Sequence, residues 1–188
     1  VQTCALPIYV KASHAELSGE YAAVPSEMKQ VAKVLGYEVL SQTNVEELIA
    51  NVKTIREACG DRAFLRAYHF VEETERAKKE KDALKEKDIL SFMKLVRESG
   101  HSSYMYLQNI NVPGAIKEQP VAVALALSDA ILGEQEAYRV HGGGFAGTIQ
   151  AFVKNENVDR YIQVMESVFG ENSCYVLRIR ECGGIEIK

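Results

Sequence analysis

Several common function classes are disfavoured by what this chain does not contain. It has no basic excess, since 22 Lys and Arg stand against 26 Asp and Glu for a net charge of −4. A nucleic-acid partner needs a positive footprint, so no nucleic acid is expected. No apolar run approaches the ~18 residues needed to span a bilayer, and no membrane association is expected. The longest such run, Val121 to Leu127, reads as a buried helix. The four cysteines (Cys4, Cys59, Cys174, Cys182) form no CxxC pair, and the four histidines form no HExxH spacing. A zinc site is not expected from that set. Scattered cysteines suit a reducing cytoplasm, which is the expected location. There is no internal repeat and no low-complexity linker.

The start of the chain also lacks an initiator Met and a secretory signal pattern. Its first eight residues, Val1-Gln2-Thr3-Cys4-Ala5-Leu6-Pro7-Ile8, are similar to the in-frame translation of a common sequencing-library adapter. Residues 1–8 are therefore expected to be a non-native segment and are set aside in reading the fold. Native sequence is expected to begin near Tyr9, with an N-terminal portion of the protein missing before it.

What is present divides into two halves. Tyr9 to His14 reads as the end of a strand and Ser18-Gly19-Glu20-Tyr21 as a turn, with Pro25 opening a helix that Gly36 closes. Asn44 caps a second helix, with Glu47 three residues on, and Gly60 ends it. Asp61 begins a longer helix whose second half, Glu72 to Asp82, carries the mixed charge of a solvated face. Asp88 caps a fourth helix that Gly100 ends, and Pro120 opens a fifth, apolar on nearly all sides and so expected to be internal. After Gly133 come two strands, Ala137–Val140 and Thr148–Val153, an amphipathic helix from Val158 to Phe169, and a last strand from Cys174 to Arg180. Helices first and then a ββαβ unit predict an α+β fold.

Between the two strands lies Arg139-Val140-His141-Gly142-Gly143-Gly144-Phe145-Ala146-Gly147-Thr148. Glycine at this density serves a backbone that turns with positive φ or approaches a ligand closely. His-Gly-Gly-Gly-Phe resembles the oxyanion segment of lipase-type α/β-hydrolases, but no G-x-S-x-G elbow and no histidine follow it. Gly142, Gly144 and Gly147 also satisfy G-x-G-x-x-G, yet the residues after Gly147 are β-branched and apolar. That fingerprint requires a helix there, with its N-terminus at the pyrophosphate.

The segment is also similar to the third signature of the GHMP small-molecule kinases. Its galactokinase form reads arginine–methionine–threonine–three glycines–phenylalanine–two glycines. Ser13 to Gly36 resembles the galactokinase stretch after the catalytic core, and Glu98-Ser99-Gly100-His101-Ser102-Ser103 resembles the family's Ser-His-Ser-rich helix end. The resemblance covers residues 9–188 and implies the C-terminal portion of a galactokinase-like GHMP kinase: a helical bundle followed by a ferredoxin-like ββαβ unit. It further implies that Tyr21 contacts the sugar, and that His141, Gly142, Gly143, Gly144 and Gly147 lie beside the phosphates and sugar.

The implied reaction is transfer of the γ-phosphoryl of ATP to the anomeric hydroxyl of galactose, with Mg²⁺. Two positions depart from the pattern: His141 replaces threonine and Ala146 replaces a glycine, which leaves the sugar open. His141 is expected to be a wall residue, and Asp129 and Glu134 are expected to be structural. The family's sugar signature, phosphate loop and catalytic aspartate are absent from the chain, so no catalytic or metal-binding residue is expected in it. The partner of this portion would be the missing N-terminal domain, leaving an exposed apolar face and an inactive fragment. A kinase for another sugar such as N-acetylgalactosamine, or a non-catalytic sugar sensor, would share these features.

Overall fold

The computed structural model describes residues 3–10, 17–145 and 147–177. One three-stranded antiparallel sheet stands beside a helical layer. Strand β1 (Thr3–Tyr9) and strand β2 (Ala137–His141) flank the central strand β3 (Thr148–Lys154). The register pairs Leu6 with Ala151 and Ile8 with Ile149 on one side, and Val140 with Ile149 on the other. Strand side chains alternate between faces, so Ile149, Ala151 and Val153 fall together on the buried face. The helices α6 (Pro120–Ile131) and α7 (Val158–Phe169) close this core, Val121 and Ala124 from the first and Tyr161 and Met165 from the second. Ser128 and the Tyr161 hydroxyl hydrogen-bond between them at 2.7 Å, and burial pushes the Tyr161 pKa up.

Thr3 to Ile8, set aside in reading the sequence, are part of the sheet as β1. Leu6 and Ile8 are fully buried, and each such side chain contributes about 2 kcal/mol. The polar groups of residues 5, 7 and 9 point away from β3: the Tyr175 and Leu177 amides donate to the Pro7 and Ala5 carbonyls, and the Tyr9 amide donates to Ser173. Pro7, having no N–H, therefore costs the β3 ladder nothing. It does break pairing on its outer side. That is why the predicted last strand appears at 174–177 only as isolated bridges, Ile8 to Cys174 and Ala5 to Leu177. The expected positions 178–180 lie outside the described residues, as do 11–14 of the predicted first strand.

The helical layer has its own core of Val31, Ala32, Leu48, Ile55, Ala63 and Ala67. It is made by α1 (Ser18–Val34), α2 (Val45–Ala50), α3 (Val52–Cys59) and α4 (Asp61–Lys85). Asn44 caps α2 by accepting from the Glu47 amide at 2.9 Å. The predicted single helix breaks at Asn51, whose side chain donates back to the Glu47 carbonyl at 2.9 Å. Such local capping competes with helix continuation.

Three further expectations fail for tertiary reasons. Helix α1 begins at Ser18, so Ser18 to Tyr21 is helix and Pro25 lies inside it. Its first turn is held early by Leu17, buried against Phe145. Helix α5 (Ile89–Ser102) runs through Gly100. A Cβ there would come within 3.0 Å of the Tyr138 carbonyl, so this glycine permits close packing on β2 and stops nothing. Helix α6 is buried on one stripe only, with Val123 45% exposed.

Candidate functional site

The glycine segment closes the β2–β3 hairpin, with His141 paired to Thr148 at its base. Gly142 and Gly144 have φ of +68° and +81°, where only glycine is free of Cβ strain. Phe145 follows at +61°, a left-handed conformation that a bulky residue adopts only when its surroundings impose it. Those surroundings are a small apolar cluster of Leu17, Phe145, Tyr21, Val24 and Val112.

Tyr21 joins the segment directly. Its ring meets Phe145 edge-on with centroids 5.3 Å apart, and its hydroxyl donates to the Gly144 carbonyl at 3.0 Å. A Cβ on Gly143 would lie 2.8 Å from Tyr21 Cδ1, so the missing side chain makes room for the ring. The two places singled out in the sequence, more than a hundred residues apart, thus form one surface. Gly142, Gly143 and His141 on that surface are exposed, while Gly144 is buried. Ala146 lies outside the described residues.

Asn109 was not foreseen. A π turn over Ser103–Leu107 and a left-handed Gln108 (φ +56°) carry the chain out of α5 and deliver Asn109 to the glycine segment. Such π segments are frequent at functional sites. The Asn109 carbonyl accepts from the Phe145 amide at 2.5 Å, and its Nδ2 donates to the Gly143 carbonyl at 3.2 Å. A Cβ on Gly144 would lie 2.7 Å from that Nδ2. The only sequence signal is an asparagine beside Ile110 just beyond a recognised helix end.

Arg66, with no exposure at all, holds the π turn from behind. Its Nε donates to the Leu107 carbonyl at 3.1 Å and its Nη1 to Glu27 at 2.9 Å. Burial lowers its pKa, and Glu27 opposes that shift. Arg139, the arginine of the motif, faces away from the hairpin tip toward α4, where Nη1 meets Glu73 at 3.2 Å. Burial pushes the Glu73 carboxyl up, but Ser99, Arg139, His69 and Arg76 together hold it below its ordinary value. In the same cluster His69 Nδ1 and Ser102 Oγ lie 2.9 Å apart, and burial brings the His69 pKa down to about 4. Asp129 accepts from the Tyr138 hydroxyl at 2.5 Å, and burial together with that bond raises Tyr138 to about 12. Glu134 is exposed.

Unpaired polar atoms collect around this seam. Among the described residues, the buried side-chain atoms without a hydrogen-bond partner include Glu20 Oε2, Arg66 Nη2, Ser103 Oγ, Asn109 Oδ1 and Asn111 Oδ1. No group of three or more His, Cys, Asp or Glu side chains among the described residues could hold a metal.

In the solved galactokinase of Lactococcus lactis complexed with galactose, the same architecture recurs. It superimposes with a TM-score of 0.75 over 94% of this chain and 45% of that one, at 20% identity. The fold is that of a galactokinase. Sequence agrees: the chain is 30% identical to the galactokinase of Bos taurus over 164 residues and 29% identical to that of Haemophilus influenzae over 146. These matches cover 87% and 78% of the chain but only 39% and 36% of the relatives, and they fall on the C-terminal part of galactokinases. No family model matches the chain. No helix among the described residues is long and apolar enough to cross a membrane.

Proposed function

We propose that residues 9–188 are the C-terminal portion of a galactokinase-like sugar kinase and form one wall of its active site. The whole protein would transfer the γ-phosphoryl of ATP to the anomeric hydroxyl of galactose in the cytoplasm. The observation that carries this reading is the seating of Tyr21 on Gly143, with its hydroxyl on Gly144, inside a galactokinase fold. In this reading the exposed edge of Tyr21 contacts the sugar. Gly142, Gly143, Gly144 and Gly147 let substrate approach the backbone, and His141 borders the same surface.

Phosphoryl transfer also needs a phosphate cradle, Mg²⁺ and a positioned base. By the resemblance to galactokinases these groups would belong to the N-terminal part of the protein, and the chain alone would be inactive. The half-exposed Tyr104, Met105 and Val123 and the 89% exposed Ile116 supply the uncovered apolar surface such a partner domain would need. The octapeptide Val1–Ile8, similar to translated adapter, would in this reading stand in for the native strand at the sheet edge.

The decisive experiment is an ATP-dependent phosphorylation assay on the full-length gene product with galactose, N-acetylgalactosamine and other hexoses. Galactose phosphorylation is expected, with the 188-residue chain silent. Turnover by the chain alone would remove the truncation. A preference for another sugar would transfer the reading to a sister kinase, and sugar binding without turnover would make it a sensor.

A further inference from the structure

The hairpin tip needs external pins, because a stretch with glycines at 142, 143, 144 and 147 loses more conformational freedom on ordering than any other composition. Three pins are visible. The Gly144–Phe145 peptide is gripped at both ends, its carbonyl by the Tyr21 hydroxyl and its N–H by the Asn109 carbonyl. The preceding peptide is held by Asn109 Nδ2 on the Gly143 carbonyl. Peptides are planar and trans, so fixing the Gly143 carbonyl also fixes the Gly144 N–H on the opposite side. Asn109 supplies two of the three pins and is itself 2% exposed, delivered by the π turn that Arg66 braces.

We propose that Asn109 is a positioning residue for the sugar subsite, clamping Gly143 so that the Tyr21 ring resting on it meets the sugar at a fixed height. This presupposes that the chain forms one wall of a sugar-kinase site. The side-chain amide is the essential feature, because only a donor can reach the Gly143 carbonyl. A carboxylate of the same shape would repel that oxygen, and its protonated form would restore the bond.

The test uses the full-length protein and its Asn109→Ala and Asn109→Asp variants. Asn109→Ala should raise the galactose KM about tenfold, since small misplacements of positioning groups carry costs of that order or more. The kcat and the ATP KM should stay close to wild type, and the melting temperature should fall by no more than the loss of one hydrogen bond implies. Asn109→Asp should show the same defect at pH 8 and approach wild type, measured as a ratio at equal pH, near pH 5. An unchanged galactose KM in Asn109→Ala, whether or not kcat falls, overturns the clamp. Should the wild-type protein phosphorylate no sugar, the kinase reading falls by itself, and exchange of the Gly144 amide, in the peptide whose carbonyl Asn109 Nδ2 holds, decides the clamp. Faster exchange in Asn109→Ala supports it, and equal rates refute it.

Discussion

In the sheet, β3 is paired along both edges, with buried and half-buried residues alternating from Thr148 to Lys154. At the seam beside it, one short stretch holds a π turn, a left-handed Gln108 and a left-handed Phe145. Ser103, Asn109 and Asn111 each hold one inaccessible side-chain oxygen without a hydrogen-bond partner there. Two other left-handed non-glycine residues, Lys87 and Asn172, sit in ordinary turns. Strained backbone and unpaired polar groups persist only where the surroundings over-determine them. The sheet core and the α1–α4 core, one on each side, provide those surroundings.

If the sheet is the support, removing its edge should do the greatest damage. Deleting residues 1–8 takes away Ala5, Leu6 and Ile8 and uncovers an edge of β3. We expect loss of a cooperative unfolding transition, followed by circular dichroism. A transition as sharp as that of the intact chain would show that β1 is dispensable and leave the contrast without its basis.

Next comes Gly144→Ala, which meets a φ of +81° and collides with the Asn109 main-chain carbonyl as well as its side chain. It should cost about 3 kcal/mol in denaturant unfolding, combining left-handed strain with overpacking. A cost below about 1 kcal/mol would mean the hairpin tip relocates freely. Gly143→Ala collides only with the Tyr21 ring, so about 1–2 kcal/mol is expected. Most of that should vanish when Tyr21→Ala is added, and additive effects would separate the two residues.

The helical side offers a control by pH. His69 has its pKa brought down to about 4 by burial, against an unfolded value near 6.5. The unfolded state then binds the proton first, so stability is present above pH 6.5 and is lost as pH falls toward 4. Between pH 7 and pH 5 the loss should be roughly 2 kcal/mol. It should flatten in His69→Gln, as read from melting temperatures. Smallest of all is Tyr21→Phe, which removes one hydrogen bond to Gly144 while keeping the packing. About 1 kcal/mol is expected, and a larger loss would place the hydroxyl among the principal supports.

Much of the helical layer was legible in the sequence because its signals are local. Asn44 and Asp88 cap where capping chemistry predicts, and Pro120 opens α6. The misplaced boundaries have distant causes. Ser18 is helical because Leu17 packs on Phe145, and Gly100 is a contact point for β2 some forty residues on. The candidate site divides the same way: the glycine segment and Tyr21 were each visible, whereas Asn109 owes its place to a π turn that no periodicity announces.

By itself the sequence determined that positive φ would be needed between Val140 and Thr148, and that a helical layer would be followed by a strand–glycine turn–strand hairpin and an amphipathic helix. Glycine placement and apolar spacing act over a few residues, so they can be read from the chain alone. Only the tertiary structure decided that Gly143 is vacant for the Tyr21 ring, and that Gly144 is vacant for Asn109. Close approach between segments far apart in the chain is set by packing the two cores against each other, and no local pattern encodes it.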